Sequence, residues 1–263
     1  MSSSQPFGID FGGTGIKGAP VDLSRGDFAN ERVRFKTPHK STPRAIADIF
    51  VELLAAFPAC TGPVGVTVPG MVRHGVVHTA ANIDRAWIGT DADALFTAAT
   101  GRDVHVVNDA DAAGLAEVRY GAARGRRGLV IVTTLGTGIG SAFLYDGVLI
   151  PNSELGHLEI DGHDAETRAS NRAREKDNLS WHEWAKRLQR YYRTLEQLFS
   201  PDLFVVGGGV SKQSAQFLPL LDLDTEIVPA TLRNNAGAVG AALYAAEAEM
   251  VRGTDRGLPT SSP

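Results

Sequence analysis

The feature that most limits the fold is a unit that occurs twice. Phe7-Gly8-Ile9-Asp10-Phe11 reads as a short strand, Gly12-Gly13-Thr14-Gly15 as a tight turn, and Ile16-Lys17-Gly18-Ala19-Pro20-Val21 as a returning strand. In the second half of the chain, Leu129 to Thr134 is a β-branched strand. Leu135-Gly136-Thr137-Gly138-Ile139-Gly140 turns, and Phe143-Leu144-Tyr145 returns. One such turn is weak evidence, because hairpins use glycine for positive φ in any case. Two of them, each with a threonine and each opening half of the chain, predict duplicated lobes that face one phosphate chain. Glycines let backbone N–H groups approach an anion, Thr14 and Thr137 add hydroxyls, and Lys17 adds charge. This is not a P-loop, since the GxxxxGK[ST] order is absent and no helix follows. Asp10, just before the first turn, is placed to hold Mg²⁺ through water.

A third stretch, Val104-His105-Val106-Val107-Asn108-Asp109-Ala110-Asp111, reads as a buried strand that runs into a helix reaching about Tyr120. An Asn or Asp at that junction caps the helix. Capping needs only one of Asn108, Asp109 and Asp111. A carboxylate at the carboxyl end of a strand in an α/β sheet also sits where such folds bind ligands. Asp109 is therefore expected to be a catalytic base.

The remaining elements follow from periodicity. Helices are expected over Pro43–Phe57, Ala92–Thr100, Trp181–Phe199 and Asn235–Met250, and a hairpin over Val72–His78 around Gly75. Leu203-Phe204-Val205-Val206 is a buried strand. It ends in Gly207-Gly208-Gly209, where glycines admit a base or ribose close to the backbone. Glu154 and His157 stand three apart in Glu154-Leu155-Gly156-His157, and His163 to Asn178 is a charged, Ala-rich segment. The expected division is a smaller lobe over 1–121, with the last helix packing back on it, a larger lobe over 122–250, and a disordered tail over 251–263.

Composition closes off some classes. A net charge of −4 argues against a general binder of nucleic acid or of membrane surfaces. The single cysteine, Cys60, rules out an intramolecular disulfide and suits a reducing cytoplasm. Met1 to Pro6 lack the basic and apolar regions of a signal peptide.

In their order, Asp10-Phe11-Gly12-Gly13-Thr14-Gly15-Ile16-Lys17, Asn108-Asp109, Leu135-Gly136-Thr137-Gly138-Ile139-Gly140, Glu154-Leu155-Gly156-His157 and Gly207-Gly208-Gly209 resemble the ROK family of sugar kinases. The resemblance spans roughly residues 7 to 250. The short length and the Ile83-Asp84-Arg85-Ala86-Trp87-Ile88-Gly89 stretch are most similar to the branch of bacterial glucokinases that use polyphosphate. It implies a two-lobed actin/hexokinase-like α/β ATPase fold with the active site in the interlobe cleft, and a homodimer. It also implies phosphoryl transfer from ATP or inorganic polyphosphate to the 6-hydroxyl of glucose, with mannose as a second acceptor. Asp109 then matches the base. Asn108, Glu154, His157 and Glu166 match sugar ligands, and Gly70, Thr79 and Asn82 the remaining pocket wall. Asp10, Gly12, Gly13, Thr14, Lys17, Thr137, Gly138, Gly208 and Gly209 match the phosphate and nucleotide side.

One departure from the family is informative. Many members carry Cys-x-Cys-Gly-x-x-Gly-Cys after the histidine and hold a structural zinc. Cys60 alone cannot build that site, so no zinc is expected. Two alternatives remain open, an ATP-only kinase of another hexose or N-acetylhexosamine, and a non-catalytic sugar-sensing regulator. The regulator is disfavoured because a first strand at Phe7 is expected to leave no room for a helix-turn-helix domain. A polyphosphate chain would need a local track of cations, for which Arg124, Arg126, Arg127, the run Arg168 to Lys176, and Lys212 are candidates.

Overall fold

The computed structural model describes residues 5–80 and 83–255, with backbone alone for 252–255. The chain divides into two compact units, one of 1–112 with 237–263 and one of 113–236.

The first unit is built on the strands β1 (Phe7–Phe11), β2 (Gly15–Asp22), β3 (Asp27–Phe28), β4 (Val33–Lys36), β5 (Val64–Val68) and β8 (Val104–Asn108). Their order is β3-β2-β1-β5-β8, with β4 also on β2. The strands β6 (Val72–Arg73) and β7 (Val76–Val77) form the expected small hairpin. β1, β5 and β8 are parallel, while β2 returns antiparallel to β1. All five residues of β5 are buried, as a parallel strand covered on both faces should be.

One face packs on α1 (Pro43–Ala55) and α2 (Ala92–Thr100), around Phe7, Phe11, Phe50, Trp87 and Phe96. Trp87 is fully buried between Phe11 and Phe96, and its Nε1 donates to the Ser41 carbonyl at 2.7 Å. It is a packing residue. α3 (Asp109–Tyr120) follows β8.

The second unit repeats the plan. β9 (Leu129–Leu135), β10 (Ile139–Tyr145), β11 (Val148–Ile150), β14 (Leu203–Gly207) and β15 (Ile227–Pro229) lie in the order β11-β10-β9-β14-β15. Again a hairpin pairs with the first strand, and the two later strands run parallel to it. The duplication expected from the glycine turns is thus present as repeated sheet topology.

Between β11 and β14 lie β12 (Glu159–Ile160), β13 (His163–Asp164), α4 (Glu166–Ala169), α5 (Asn171–Lys176) and α6 (Trp181–Phe199). A Ser180–Glu183 capping box starts α6. Its apolar stripe of Trp184, Leu188, Tyr191, Tyr192 and Leu195 joins Phe204 and Phe217 in the core. Sequence periodicity does not predict the β12–β13 hairpin, yet its signal is present. Asp161 and Gly162 take φ of 53° and 75°, the pairing that a two-residue type I′ hairpin requires.

α7 (Ala236–Asp255) covers the first unit's sheet. A Cβ on Gly65 would lie 1.8 Å from the Ala241 carbonyl oxygen, so helix and strand touch backbone to backbone. α7 runs past its expected end at Met250. Gly253 in a last turn costs helix only about 1 kcal/mol, and no proline intervenes before Pro259. Among the described residues no helix is long and apolar enough to cross a membrane.

Candidate active site

In the first unit the candidate residues Asp10 and Asn108 lie toward the carboxyl ends of parallel strands. Register places Asp10 opposite Thr67 and Val68 opposite Asn108. The Lys17 ammonium lies 2.8 Å from Asp10 Oδ2, and the Thr67 hydroxyl donates to Asp10 Oδ1 at 3.1 Å. Thr67 also accepts the Phe11 N–H at 3.0 Å and is fully buried. It is a positioning residue for Asp10 that the motif does not mark, because only strand register brings it there.

The first turn closes through Gly12 N–H to the Gly15 carbonyl at 3.0 Å, and the Thr37 hydroxyl donates to the Gly12 carbonyl at 2.6 Å. Gly13 and Thr14 are exposed at its tip. Gly12 and Gly15 lie outside the left-handed region, as do Gly136 and Gly138. Positive φ is therefore not the reason for glycine there, contrary to the ordinary explanation of such turns.

Asn108 ends β8 and caps α3. Its Oδ1 accepts the N–H groups of Ala110 at 2.8 Å and Asp111 at 3.1 Å. Its Nδ2 donates to the Gly70 carbonyl at 3.0 Å. One amide hydrogen is left for a ligand. Because Asn108 takes the cap, Asp109 need not, and Asp109 is exposed while Asp111 is buried. Asp109 Oδ1 also meets the Ala110 N–H at 2.9 Å. A Cβ on Gly70 would lie 2.1 Å from the Thr79 carbonyl oxygen, and the Thr79 hydroxyl accepts the Met71 N–H at 2.8 Å. Gly70, Thr79 and Asn108 are thus brought together. Asn82 lies outside the described residues.

In the second unit the turn Gly136–Gly138 closes through Gly136 N–H to the Gly138 carbonyl at 3.0 Å, with Thr137 exposed. Gly207 pairs with Thr134. Gly208 has φ of 83°, and a Cβ there would lie 2.3 Å from the Leu135 carbonyl oxygen, so only glycine fits. Gly209 begins a short 3₁₀ segment, Gly209–Gln216, and the triple glycine is a strand-to-helix turn beside the Gly-Thr turn.

Glu154 precedes a 3₁₀ turn, Leu155–His157. The fully engaged Ser141 hydroxyl fastens this segment, donating to the Ser153 carbonyl at 2.8 Å and accepting the Leu155 N–H at 3.0 Å. The β12–β13 hairpin carries Asp164 back to His157, whose Nδ1 lies 2.9 Å from Asp164 Oδ2. Glu166 Oε2 accepts the Ile139 N–H at 3.0 Å, and a Cβ on Gly138 would lie 2.3 Å from it. Space for that carboxylate is why glycine stands at 138. Asp164 and Ser141 hold the candidate residues in place, and the motif does not mark them. The Asp161-Gly162 turn signal could have found the first.

Electrostatics follow from this packing. Burial pushes the Glu154 carboxyl up, with His157 opposing and Glu166 adding to the rise. The Asp164 hydrogen bond raises His157, partly offset by burial. His157, Asp164 and Glu166 offer ligand atoms within 4.8 Å of one another, without a thiolate. This is a hydrogen-bonded His–Asp pair beside a carboxylate, unlike the Cys/His set of a structural zinc.

The expected cation track is partly neutralised. Arg126 pairs with Glu226 at 2.8 Å, Arg127 approaches Asp146 at 3.6 Å, and Arg174 lies 4.1 Å over the Trp181 ring.

The residues 6–173 match the family model described as the ROK family. A polyphosphate glucokinase of Mycobacterium tuberculosis is 50% identical over 238 residues, covering 90% of this chain and 89% of that protein. The crystal structure of the inorganic polyphosphate/ATP-glucomannokinase from Arthrobacter sp. strain KM aligns with TM-score 0.89 and 57% identity, over 94% of this chain and all of that one (100%). A ROK family glucokinase from Streptomyces griseus, solved with glucose and AMPPNP, aligns with TM-score 0.79 and 25% identity over 92% of this chain and 99% of that one. Repeated sheet topology, paired glycine turns and these matches lead to one conclusion: the chain belongs to the ROK family and has its actin/hexokinase-like kinase fold.

Proposed function

We propose that this protein is a glucokinase that moves the terminal phosphoryl group of inorganic polyphosphate or ATP onto the 6-hydroxyl of glucose. Donor and acceptor are those named for its mycobacterial and Arthrobacter relatives. Mannose is a second acceptor in this reading, a homodimer the working assembly, and the cytoplasm its setting.

The observation that carries the chemistry is the end of β8. Asn108 caps the helix there and leaves Asp109 exposed at the carboxyl end of a parallel strand. In the reaction the glucose oxygen bonds to the terminal phosphorus, the bond from that phosphorus to the bridging oxygen breaks, and the hydroxyl proton passes to Asp109. Backbone N–H groups and the Thr14 and Thr137 hydroxyls bind phosphate oxygens, Lys17 adds charge, and Gly208 and Gly209 admit the nucleoside. Asn108, Glu154, His157 and Glu166 take sugar hydroxyls, since amides, carboxylates and imidazole form directional bonds to a polyol.

Asp10 fits a Mg²⁺ ion only through water, because Lys17 already occupies one of its oxygens and Thr67 bonds the other. Magnesium would neutralise phosphate charge there. A matrix of ATP and polyphosphate against glucose, mannose, fructose and N-acetylhexosamines tests the reading. Activity with ATP alone would reduce it to an ordinary glucokinase, and no glucose phosphorylation with either donor would overturn it.

A further inference from the structure

A basic stretch of the first unit lies outside every motif and runs beside the first glycine turn. Between Glu31 and Asp48 there is no Asp or Glu, while Arg32, Arg34, Lys36, Lys40 and Arg44 supply five cations. The chain as a whole carries −4. β4 falls in this stretch. Phe35 packs on the core, so Arg34 and Lys36 lie on the opposite, exposed face. Register completes a row across the sheet on that face. Thr67 stands opposite Asp10, Asp10 opposite Lys17, and Lys17 opposite Arg34. Lys36 stands opposite Gly15.

Two contacts fix this stretch to the turn. The Arg34 guanidinium lies over Gly15, where a Cβ would come within 3.1 Å of both Nε and Nη2, so glycine at 15 leaves room for it. The buried Thr37 hydroxyl donates to the Gly12 carbonyl at 2.6 Å. Beyond Lys40 the stretch is held again, since the Ser41 carbonyl accepts the Trp87 Nε1–H at 2.7 Å. The cations divide by partner. Arg44 pairs with Asp48 at 3.2 Å, and Lys17 with Asp10 at 2.8 Å. Among the described residues, Arg34, Lys36 and Lys40 form no ion pair and no side-chain hydrogen bond, and all three are exposed. One exposed cation is ordinarily just solvated. Three within seven residues, with no acid among them and anchored to the turn, set a positive potential there. Because Asp10 cancels the charge of Lys17, this potential comes from β4 and the residues after it.

We infer that Arg34, Lys36 and Lys40 form a track for a polyphosphate chain that continues from the first turn. Arg34 takes the phosphate next to the turn, and Lys36 and Lys40 take those beyond it. A guanidinium fork matches phosphate oxygens, and ammonium groups attract them as point charges. The track is anchored at both ends before a ligand arrives, which lowers the ordering cost of binding. Its residues are not those of the Arg124–Arg127 turn, where Glu226 and Asp146 stand beside the cations. That the bound chain is the phosphoryl donor rests on the polyphosphate reading above.

The test is equilibrium binding of end-labelled long-chain polyphosphate to the full-length protein, read by fluorescence anisotropy without glucose. One variant combines Arg34→Ala, Lys36→Ala and Lys40→Ala. A second combines Arg124→Ala, Arg126→Ala and Arg127→Ala and removes the same charge elsewhere. All six side chains are exposed, so both variants should melt with the parent protein. Polyphosphate binding should weaken about 10-fold or more in the first variant and about 2-fold or less in the second. ATP affinity, by calorimetry, should change less than about 3-fold in the first variant, because the track lies mostly beyond the phosphates at the turn. No binding of polyphosphate by the parent protein, equal losses in the two variants, or equal losses for ATP and polyphosphate would overturn the inference. Glucose phosphorylation with each donor, assayed on the same parent preparation, judges the kinase reading separately.

Discussion

The two glycine turns use one backbone device with different flanks. At Gly12–Gly15 the strands carry a charged pair, Asp10 with Lys17, aligned by strand register and a buried threonine hydroxyl. At Gly136–Gly138 no charged pair flanks the turn among the described residues. Instead the Glu166 carboxylate arrives from a later segment and bonds the Ile139 N–H. The charged pair at the first turn can thus be read within one hairpin. The second depends on β12, β13 and α4, which also bring Asp164 to His157. Charge in the first unit is set by adjacent strands, and in the second by a folded insertion.

The largest effect should come from the first unit. Asp109→Asn keeps the shape of the β8–α3 junction and removes the proposed base, so turnover should fall by at least the ~10²-fold of general base catalysis. Near-normal turnover with an unchanged circular dichroism spectrum would place the base elsewhere.

Glu166→Gln examines the second turn. It weakens a charge-assisted contact to the Ile139 N–H and the proposed contact to sugar. At ~1.5–3 kcal/mol for a hydrogen bond to a charged group, glucose affinity should drop roughly 10- to 100-fold. Nucleotide affinity should change less. Calorimetry that finds glucose binding intact would show that Glu166 serves the turn alone.

Lys17→Met breaks the charged pair of the first turn. Donor KM should rise several-fold for ATP and polyphosphate alike, and glucose KM should stay within about 2-fold, as for a partly exposed charge. A change confined to glucose would end the assignment of this turn to the donor.

The smallest effect concerns His157. Its folded-state pKa is raised, chiefly by Asp164, so its contribution to stability is full below the ordinary value near 6.5 and is lost as pH rises through the raised value. The His157 side chain is 59% exposed and that of Asp164 40%, and solvent screening keeps this contribution small. Asp164→Asn should return the His157 pKa toward 6.5 in an NMR titration. No movement would show that the hydrogen bond is not the cause.

Local chemistry made several features legible in the sequence. Glycine turns between apolar strands, an Asn-Asp junction after Val104–Val107 and the α6 stripe are near-neighbour effects. A short window contains their cause. The same windows marked Asp10, Lys17, Asp109, Glu154 and His157. They did not mark Thr67, which acts 57 residues from Asp10, or Ser141, which holds a segment reached only through β10 and β11.

The role of Asn108 as the cap, which leaves Asp109 exposed, was one of several options until the junction was folded. The contact of the Glu166 carboxylate with the Ile139 N–H was invisible for the same reason. The two residues lie on α4 and β10, and their meeting depends on how the second unit packs. Composition and period determined where strands, turns and helices lie, because backbone preference acts over a few residues. Only tertiary structure decided which polar groups meet, because burial and register act between residues far apart in the chain.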